Sequence, residues 1–519
     1  MKYQMYITLA GENKIAAFSI NDFGKPTLQF KKTIPGKPAP LVIDKKTGEL
    51  LPSRVQVIDS GGEFVRPDKS LVKVGPGESF FYSDGNFELE IGRGSARILV
   101  ERGTEYIPAV VNCDIPVNGS QAVDITLDRW FELSTRGWHP GNTHIHYDEK
   151  ETRPDERLQL DPRVEDLRMT AVSILQRWDL EYATNKYSPG VLTEFTSSHH
   201  YVECGEENRH NKGKGHDNST LGYGHIMLLN IQNVVHPVSR GLLVDAFDPD
   251  YPPLSYACDD AHRQGGIVIW CHNGQGMEAP VAAVLGKVDA FNLFDPRWMD
   301  PEYDIYYKML NAGIHLPAST GSDWFISSAN RVYCNSGGVF KYEDWINALR
   351  KGKTFITNGP SIEMAVNDYE LGDTIETDVG KSLNVKVQWK SFYPLSYIQI
   401  ICNGKVIKTS KSPSVLKEGV FETDIKVTAD SWIAARVFST ERDSFLQPIF
   451  AHTSPIYVTC GISSPEKKAA ADWFVSNITE SLEWVSKKGK FYTDKQRREV
   501  IDIFRNGQNE YKQISEGRK

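Results

Sequence analysis

Arg136-Gly-Trp-His-Pro-Gly-Asn-Thr-His-Ile-His146 is the stretch on which the fold turns. In a strand, residues two apart project to the same side, so His144 and His146 can reach one metal ion from a single rigid element. An H-x-H pair is a weak signal alone, and its surroundings give it weight. From Trp138 to about residue 360, short apolar strands alternate with helical segments, the signature of an α/β fold. The strand candidates are Thr143–Tyr147, Met169–Leu175, Val191–Phe195, His225–Asn230, Ile267–Cys271, Ala290–Phe294 and His315–Ala318. Helices are expected at Leu254–Gln264, Pro301–Ala312 and Tyr342–Arg350. Around seven such alternations predict a barrel.

Further chemistry-bearing residues fall where these strands end. Gly205-Glu206-Glu207 offers carboxylates, Gly224-His225 opens an apolar run, His272 follows Ile267-Val-Ile-Trp-Cys271, and Gly321-Ser-Asp323 ends another strand. Strand ends are where barrels and open α/β sheets assemble their sites. Imidazoles with carboxylates and no thiolate suit Zn²⁺ first, with Mn²⁺ or Fe²⁺ as alternatives. Such an ion activates water and polarises a carbonyl or phosphoryl oxygen, the chemistry of hydrolysis.

The barrel segment, assigned to 133–362, has β-rich flanks. Residues 40–132 alternate with period two, as in Phe87-Glu-Leu89-Glu-Ile91, and predict a small β-sandwich. Residues 363–460 return to alternation at Leu383-Asn-Val385-Lys-Val387-Gln-Trp389, with a hairpin at Asn403-Gly404, and predict a second sandwich-like domain. Residues 461–519 read as a helical tail. Ser464-Pro465 is its N-cap and first-turn pair, Thr493 and Gln496 form a capping box, and Trp473 and Trp484 are expected to pack on the body. Residues 1–39 remain unassigned. At about 100–200 residues per domain, 519 residues are in any case too many for one.

Composition narrows the function. Lys+Arg 59 against Asp+Glu 67 gives a net charge of −8, with no basic cluster to suit nucleic acid. Seven Cys without a CxxC oppose a disulfide framework or a cysteine-built zinc module. No run approaches the roughly 18–20 apolar residues of a membrane helix, so no membrane insertion is expected. The N-terminal run is too short for a convincing signal peptide, which leaves the compartment open.

The order of these motifs resembles the CehA/McbA family metallohydrolases, the carbaryl-hydrolase-like branch of the polymerase-and-histidinol-phosphatase (PHP) superfamily. The opening Arg136-Gly-Trp-His-Pro-Gly-Asn-Thr-His-Ile-His146 looks like the branch's R-G-W-x-x-G-D-x-H-x-H. The later motifs follow in family order, ending in Arg350-Lys-Gly-Lys-Thr-Phe-Ile-Thr-Asn-Gly-Pro360. The match runs from about residue 40 to 450, and 40–132 is similar to carboxypeptidase-regulatory-like, transthyretin-type domains. The resemblance implies a distorted (β/α)7 barrel. Its metal ligands would be His144, His146, Glu207, His225, His272 and Asp323, with Glu207 preferred to Glu206 because the superfamily pattern is G-x-E. The superfamily's T-D-H is absent near Ile174–Asp179, and Ser322-Asp323-Trp324-Phe325 lacks the closing His, so one or two ions are expected rather than three. Asn142 stands where the branch has Asp.

Three residues are candidates for catalysis. Arg177 could stabilise an oxyanion or pair with Asp179 or Glu181; Asp148 could serve as base or cap a turn; His200 could line the cleft. The expected activity is metal-dependent hydrolysis of a small-molecule ester, amide, carbamate or phosphoester by metal-activated water. The alternative is a degenerate scaffold that binds carbohydrate or a cell-surface polymer. The substrate, the number of ions and any homo-oligomer are left open.

Overall fold

The computed structural model describes residues 42–117, 122–176, 181–210, 222–237, 249–274, 276–294, 302–415 and 417–518, with the backbone of 4–7, 14–20 and 26–33. The chain is multidomain and rich in strands, with a helical tail. It divides into two compact units, one of residues 1–133 and 155–167, the other of residues 134–154 and 168–519.

The first unit is built from short antiparallel strands. Ser53–Ile58 pairs with Phe64–Val65, Phe81–Ser83 and Gly94–Glu101, and Gly94–Glu101 pairs with Ala109–Ile115. A second sheet joins Val42–Asp44, Ile125–Arg129 and Tyr106–Ile107. Val55, Val57, Ile98, Val100 and Leu127 are fully buried in one core, as the period-two pattern predicts. Helix Pro154–Val164 belongs to this unit, although the chain inserts it between strands of the other. Sequence reading missed it because Pro162 and its charged residues blur the apolar stripe.

The second unit carries a curled sheet. Its strands are β1 (Trp138–His146), β2 (Met169–Ile174), β3 (Tyr201–His210), β4 (Gly224–Leu229), β5 (Ile267–Trp270), β6 (Ala290–Asn292), β7 (Ala318–Ser319), β8 (Asp323–Trp324), β9 (Arg331–Asn335) and β10 (Thr354–Thr357). Strands β1, β2 and β3 run parallel, β4 is antiparallel to both neighbours, and β5, β6 and β7 are parallel again. The sheet curls until β8 pairs parallel with β1, placing Asp323 opposite Ile145. Most of these strands are buried along their whole length, which suits a sheet covered on both faces. The covering helices include α1 (Leu254–Arg263), α2 (Asp304–Asn311) and α3 (Tyr342–Arg350).

Two expectations change. Val191–Phe195 is not a strand: only Gly190–Val191 pairs, and Leu192–Phe195 turns. The strand that completes the sheet is β3, whose sequence Tyr-Val-Glu-Cys-Gly-Glu-Glu-Asn-Arg-His is too polar to read as an apolar run. The strands also depart from uniform βα alternation, because β3, β4 and β5 pair antiparallel.

Residues 361–459 form two sheet layers. Ser382–Ser391 lies between Ser361–Val366 and Lys417–Lys426, while Leu395–Cys402 pairs with Lys405–Ser412 and Ser431–Arg442. The hairpin turns at Asn403 and Gly404, both at positive φ. Pro448–Thr453 pairs with β10, so this layer is continuous with the curled sheet. The tail comprises α4 (Pro465–Lys487) and α5 (Asp494–Ser515). Ser464 Oγ caps α4 by accepting from Lys467 N–H, and Thr493 Oγ1 caps α5 by accepting from Gln496 N–H. Trp484 is buried and Trp473 packs against the core. Among the described residues no helix is long and apolar enough to cross a membrane.

Candidate metal centre

The directions of the strands bring the six expected ligands to one end of the curled sheet. His144 and His146 end β1, Glu207 lies in the last third of β3, His272 follows β5, and Asp323 opens β8. His225 stands at the start of β4 and still joins them, because β4 runs opposite to its neighbours.

Their atoms form two overlapping groups, His144–His146–Glu207 and Glu207–His225–His272, each able to hold a metal ion. In the first, His146 Nε2 lies 3.1 Å from His144 Nε2 and 3.0 Å from Glu207 Oε2. Asp323 Oδ1 is 3.5 Å from His144 Nε2 and 3.9 Å from His146 Nε2. In the second, Glu207 Oε1 lies 3.0 Å from His225 Nδ1 and 3.6 Å from His272 Nε2. Donors about 2.0–2.2 Å from one ion and about 90–110° apart stand roughly 3.0–3.5 Å from each other. Most of the measured separations fall in or near that range. Glu207 turns one oxygen to each group, Oε2 toward His146 and Oε1 toward His225.

Lone pairs test the fit of a cation. His146 Nδ1 is 3.2 Å from the carbonyl of Ser173, which only accepts, so Nδ1 carries the hydrogen. The bare Nε2 of the neutral ring then faces a carboxylate oxygen at 3.0 Å. Two lone pairs at that distance repel unless a proton or a metal ion lies between them. On the other side, Glu207 Oε1 is buried and accepts no hydrogen bond among the described residues, with His225 Nδ1 3.0 Å away. An orphaned, fully buried carboxylate oxygen is costly unless a cation meets it. The donor set therefore fits a divalent ion.

Electrostatics favour the same ligand states. Burial would raise the Glu207 pKa, but the Arg209 guanidinium beside it leads the groups that outweigh burial and hold the carboxyl well below the usual range. Burial pushes His225 down to about 4, so its ring is neutral near pH 7, the form that binds metal.

The backbone is arranged around this cluster at some cost. His272 and Asp323 sit at φ 52° and 62°, conformations that side-chain-bearing residues rarely adopt and that concentrate at functional sites. A bulge between Asn142 and Ile145 re-aims the end of β1. Gly321 runs so close to β1 that an added Cβ would lie 2.4 Å from His144 Cβ. Asn142 Oδ1 accepts from the Ser322 and His144 N–H groups, and its Nδ2 donates to Ser322 Oγ at 2.5 Å. The asparagine thus holds the Asp323 turn against β1. Trp324 packs against the His146 ring and Tyr182 against Trp324, both with centroids 5.2 Å apart, walling one side of the site. Sequence reading missed this aromatic pair, which no spacing signals.

The remaining candidates separate. Glu206 points to the opposite face of β3, where its Oε2 accepts from Val235 N–H at 2.8 Å. Asp148 caps a turn: its Oδ1 accepts from Lys150 N–H at 3.0 Å, and no described contact joins it to the cluster. His200 precedes β3, at the end paired with the start of β2. Seven residues of strand at about 3.3 Å each place it roughly 20 Å from Glu207, too far to line the site. Arg177 lies outside the described residues.

No known protein family matches the chain, and no curated protein matches it. Among solved structures, it resembles the crystal structure of a CARDB domain from Pyrococcus furiosus in complex with di-metal ions. That match is 16% identical, covers 20% of this chain and 93% of that one, and has a TM-score of 0.15. The solution structure of the same domain matches at 14% identity over 19% of this chain and 95% of that one, also with a TM-score of 0.15.

Proposed function

We propose that the second unit is a metal-dependent hydrolase of the PHP type, akin to the CehA/McbA metallohydrolases, with the curled sheet as its distorted barrel. The observation that carries this reading is Glu207 between two sets of imidazoles, one oxygen toward each. A divalent ion, Zn²⁺ first, bound there would polarise a carbonyl or phosphoryl oxygen and activate water. The residues do the rest. His146 is fixed in one tautomer by Ser173, and Asn142 fixes the turn that presents Asp323. Trp324 and Tyr182 keep bulk water from one side of the ring of His146. Substrates are esters, amides, carbamates or phosphoesters small enough to reach the strand ends.

The test is a panel of chromogenic esters, carbamates and phosphoesters offered to protein stripped by chelator and then reloaded with Zn²⁺ or Mn²⁺. Turnover that vanishes on stripping and returns on reloading supports the reading. Turnover unaffected by stripping would exclude it, and metal-free protein inert after reloading would favour a binding scaffold.

A further inference from the structure

Arg209 is a charged side chain beside the cluster that the ligand set leaves unused. It lies two residues after Glu207 in β3, on the same face, and directly opposite His225 in the β3–β4 register. It is 4% exposed. Its Nη1 approaches Glu207 Oε2 at 3.5 Å, a long contact. Its Nε and Nη2, by contrast, are buried and have no hydrogen-bond partner among the described residues.

A guanidinium is permanently charged, and burying two of its donors without partners is unfavourable. A counterion for Glu207 alone would not require this arrangement, because a lysine ammonium in contact with Oε2 would neutralise the carboxylate with fewer stranded donors. Nε–H and Nη2–H lie side by side on one edge of the planar group. That edge matches two oxygens of a carboxylate or phosphoryl group in parallel hydrogen bonds. Glu207 meets the other side of the guanidinium, and the two donors of the fork stay buried and unpartnered among the described residues, on the strand position paired with His225.

We infer that Arg209 binds an oxyanion of the substrate, a phosphoryl or carboxylate group, by its Nε–Nη2 edge beside the metal centre. The inference rests on the hydrolase reading for its site and narrows that reading to anionic substrates. It assigns Arg209 to binding and orientation. The interaction places the anionic group next to the metal ligands Glu207 and His225, so the bond to be cleaved lies within or adjacent to that group.

The experiment titrates inorganic phosphate and, separately, acetate into full-length protein by calorimetry, with and without bound Zn²⁺. Wild type is compared with Arg209→Lys, which keeps the charge and loses the fork, and with Arg209→Gln, measured in parallel in case one variant does not fold. Zn²⁺ affinity is measured for each. The inference expects wild type to bind one equivalent of at least one anion. Arg209→Lys and Arg209→Gln should weaken that binding about tenfold or more, the scale of a lost charge-assisted bond, while Arg209→Lys keeps Zn²⁺ affinity within about threefold. Preference between phosphate and acetate tells a phosphoryl group from a carboxylate. Anion binding equal in all three proteins, or absent from wild type in both metal states, overturns the inference while leaving the metal centre standing. Wild type that binds no Zn²⁺ overturns the hydrolase reading, and the metal-free titrations still decide the role of Arg209.

Discussion

Replacing Gly321 with alanine probes how tightly the two ligand-bearing strands are fitted together. The new Cβ would lie 2.4 Å from His144 Cβ and 2.8 Å from the His144 backbone nitrogen. Carbon–carbon contacts are comfortable at about 3.5–4.0 Å, so β1 and the Asp323 turn must part by roughly 1 Å. Neither side can yield by rotating a flexible side chain, because the clash is with backbone and Cβ of a fully buried strand. Overpacking of this kind costs about 1–3 kcal/mol of stability. The larger effect is on the metal: ligand distances hold to about ±0.2 Å in a working site, and displacing His144 from Asp323 by five times that should weaken metal binding at least about tenfold. The assay is Zn²⁺ titration with thermal melting of the metal-free protein, using Gly338→Ala as control, since a Cβ there meets nothing within 4 Å. Gly321→Ala should melt lower and bind Zn²⁺ more weakly, with the control unchanged. Wild-type Zn²⁺ affinity in Gly321→Ala would refute the claim that His144 and Asp323 act on one ion.

Glu203, elsewhere on β3, makes stability depend on pH. Its carboxyl is pushed up to about 7 by burial, against the opposing bonds from Tyr342 Oη at 2.5 Å and Asn230 N–H at 3.1 Å. A folded pKa above the unfolded one means stability present below about pH 4.5 and lost as pH rises through 7, on the order of 3 kcal/mol in all. Glu203→Gln should flatten this loss in denaturant melts between pH 5 and 8, and parallel profiles for the two proteins would count against it. Ser464→Ala should cost about 1 kcal/mol by uncapping α4, read as a lowered melting temperature, with Ser464→Thr retaining most of it. His225→Ala combined with His272→Ala dismantles one of the two ligand groups. It should lower the Zn²⁺ stoichiometry while leaving the His144–His146 group able to bind, and an unchanged stoichiometry would show that the second group holds no ion.

Much of the site could be read before the structure, because its ligands obey simple rules. His144 and His146 share a face by strand period, and Gly321 and Gly205 stand where backbones meet closely: a Cβ on Gly205 would lie 2.3 Å from the carbonyl of Leu228. The choice of Glu207 over Glu206 follows from alternation once β3 is known to be a strand. That strand was hard to see, since its polar residues are buried and several meet partners far along the chain: Glu203 meets Tyr342, Glu206 meets Val235 and His210 meets Asp250. Missing β3 also misplaced His200, whose closeness to Glu207 along the chain becomes a separation along an extended strand. The antiparallel course of β4 was equally hidden, because period-two patterns carry no direction. The role of Asp148 as a turn cap was available as an alternative reading, and the local bond to Lys150 N–H decided it. Arg209 carried a faint signal, its two-residue spacing from Glu207, which acquires meaning only when its Nε and Nη2 are seen to be buried without a partner among the described residues.

Metal content measures the central claim most directly. Full-length protein is stripped, equilibrated separately with Zn²⁺, Mn²⁺ and Fe²⁺, passed through a desalting column and analysed by elemental mass spectrometry, alongside Glu207→Gln. With one oxygen of Glu207 toward each ligand group, the account predicts one to two equivalents of a divalent metal in wild type, a sharp drop in Glu207→Gln, and a melting temperature that rises when wild type is loaded, since a ligand at 100 times its Kd adds about 2.7 kcal/mol. Wild type that retains none of the three metals and melts identically with and without them would contradict the account.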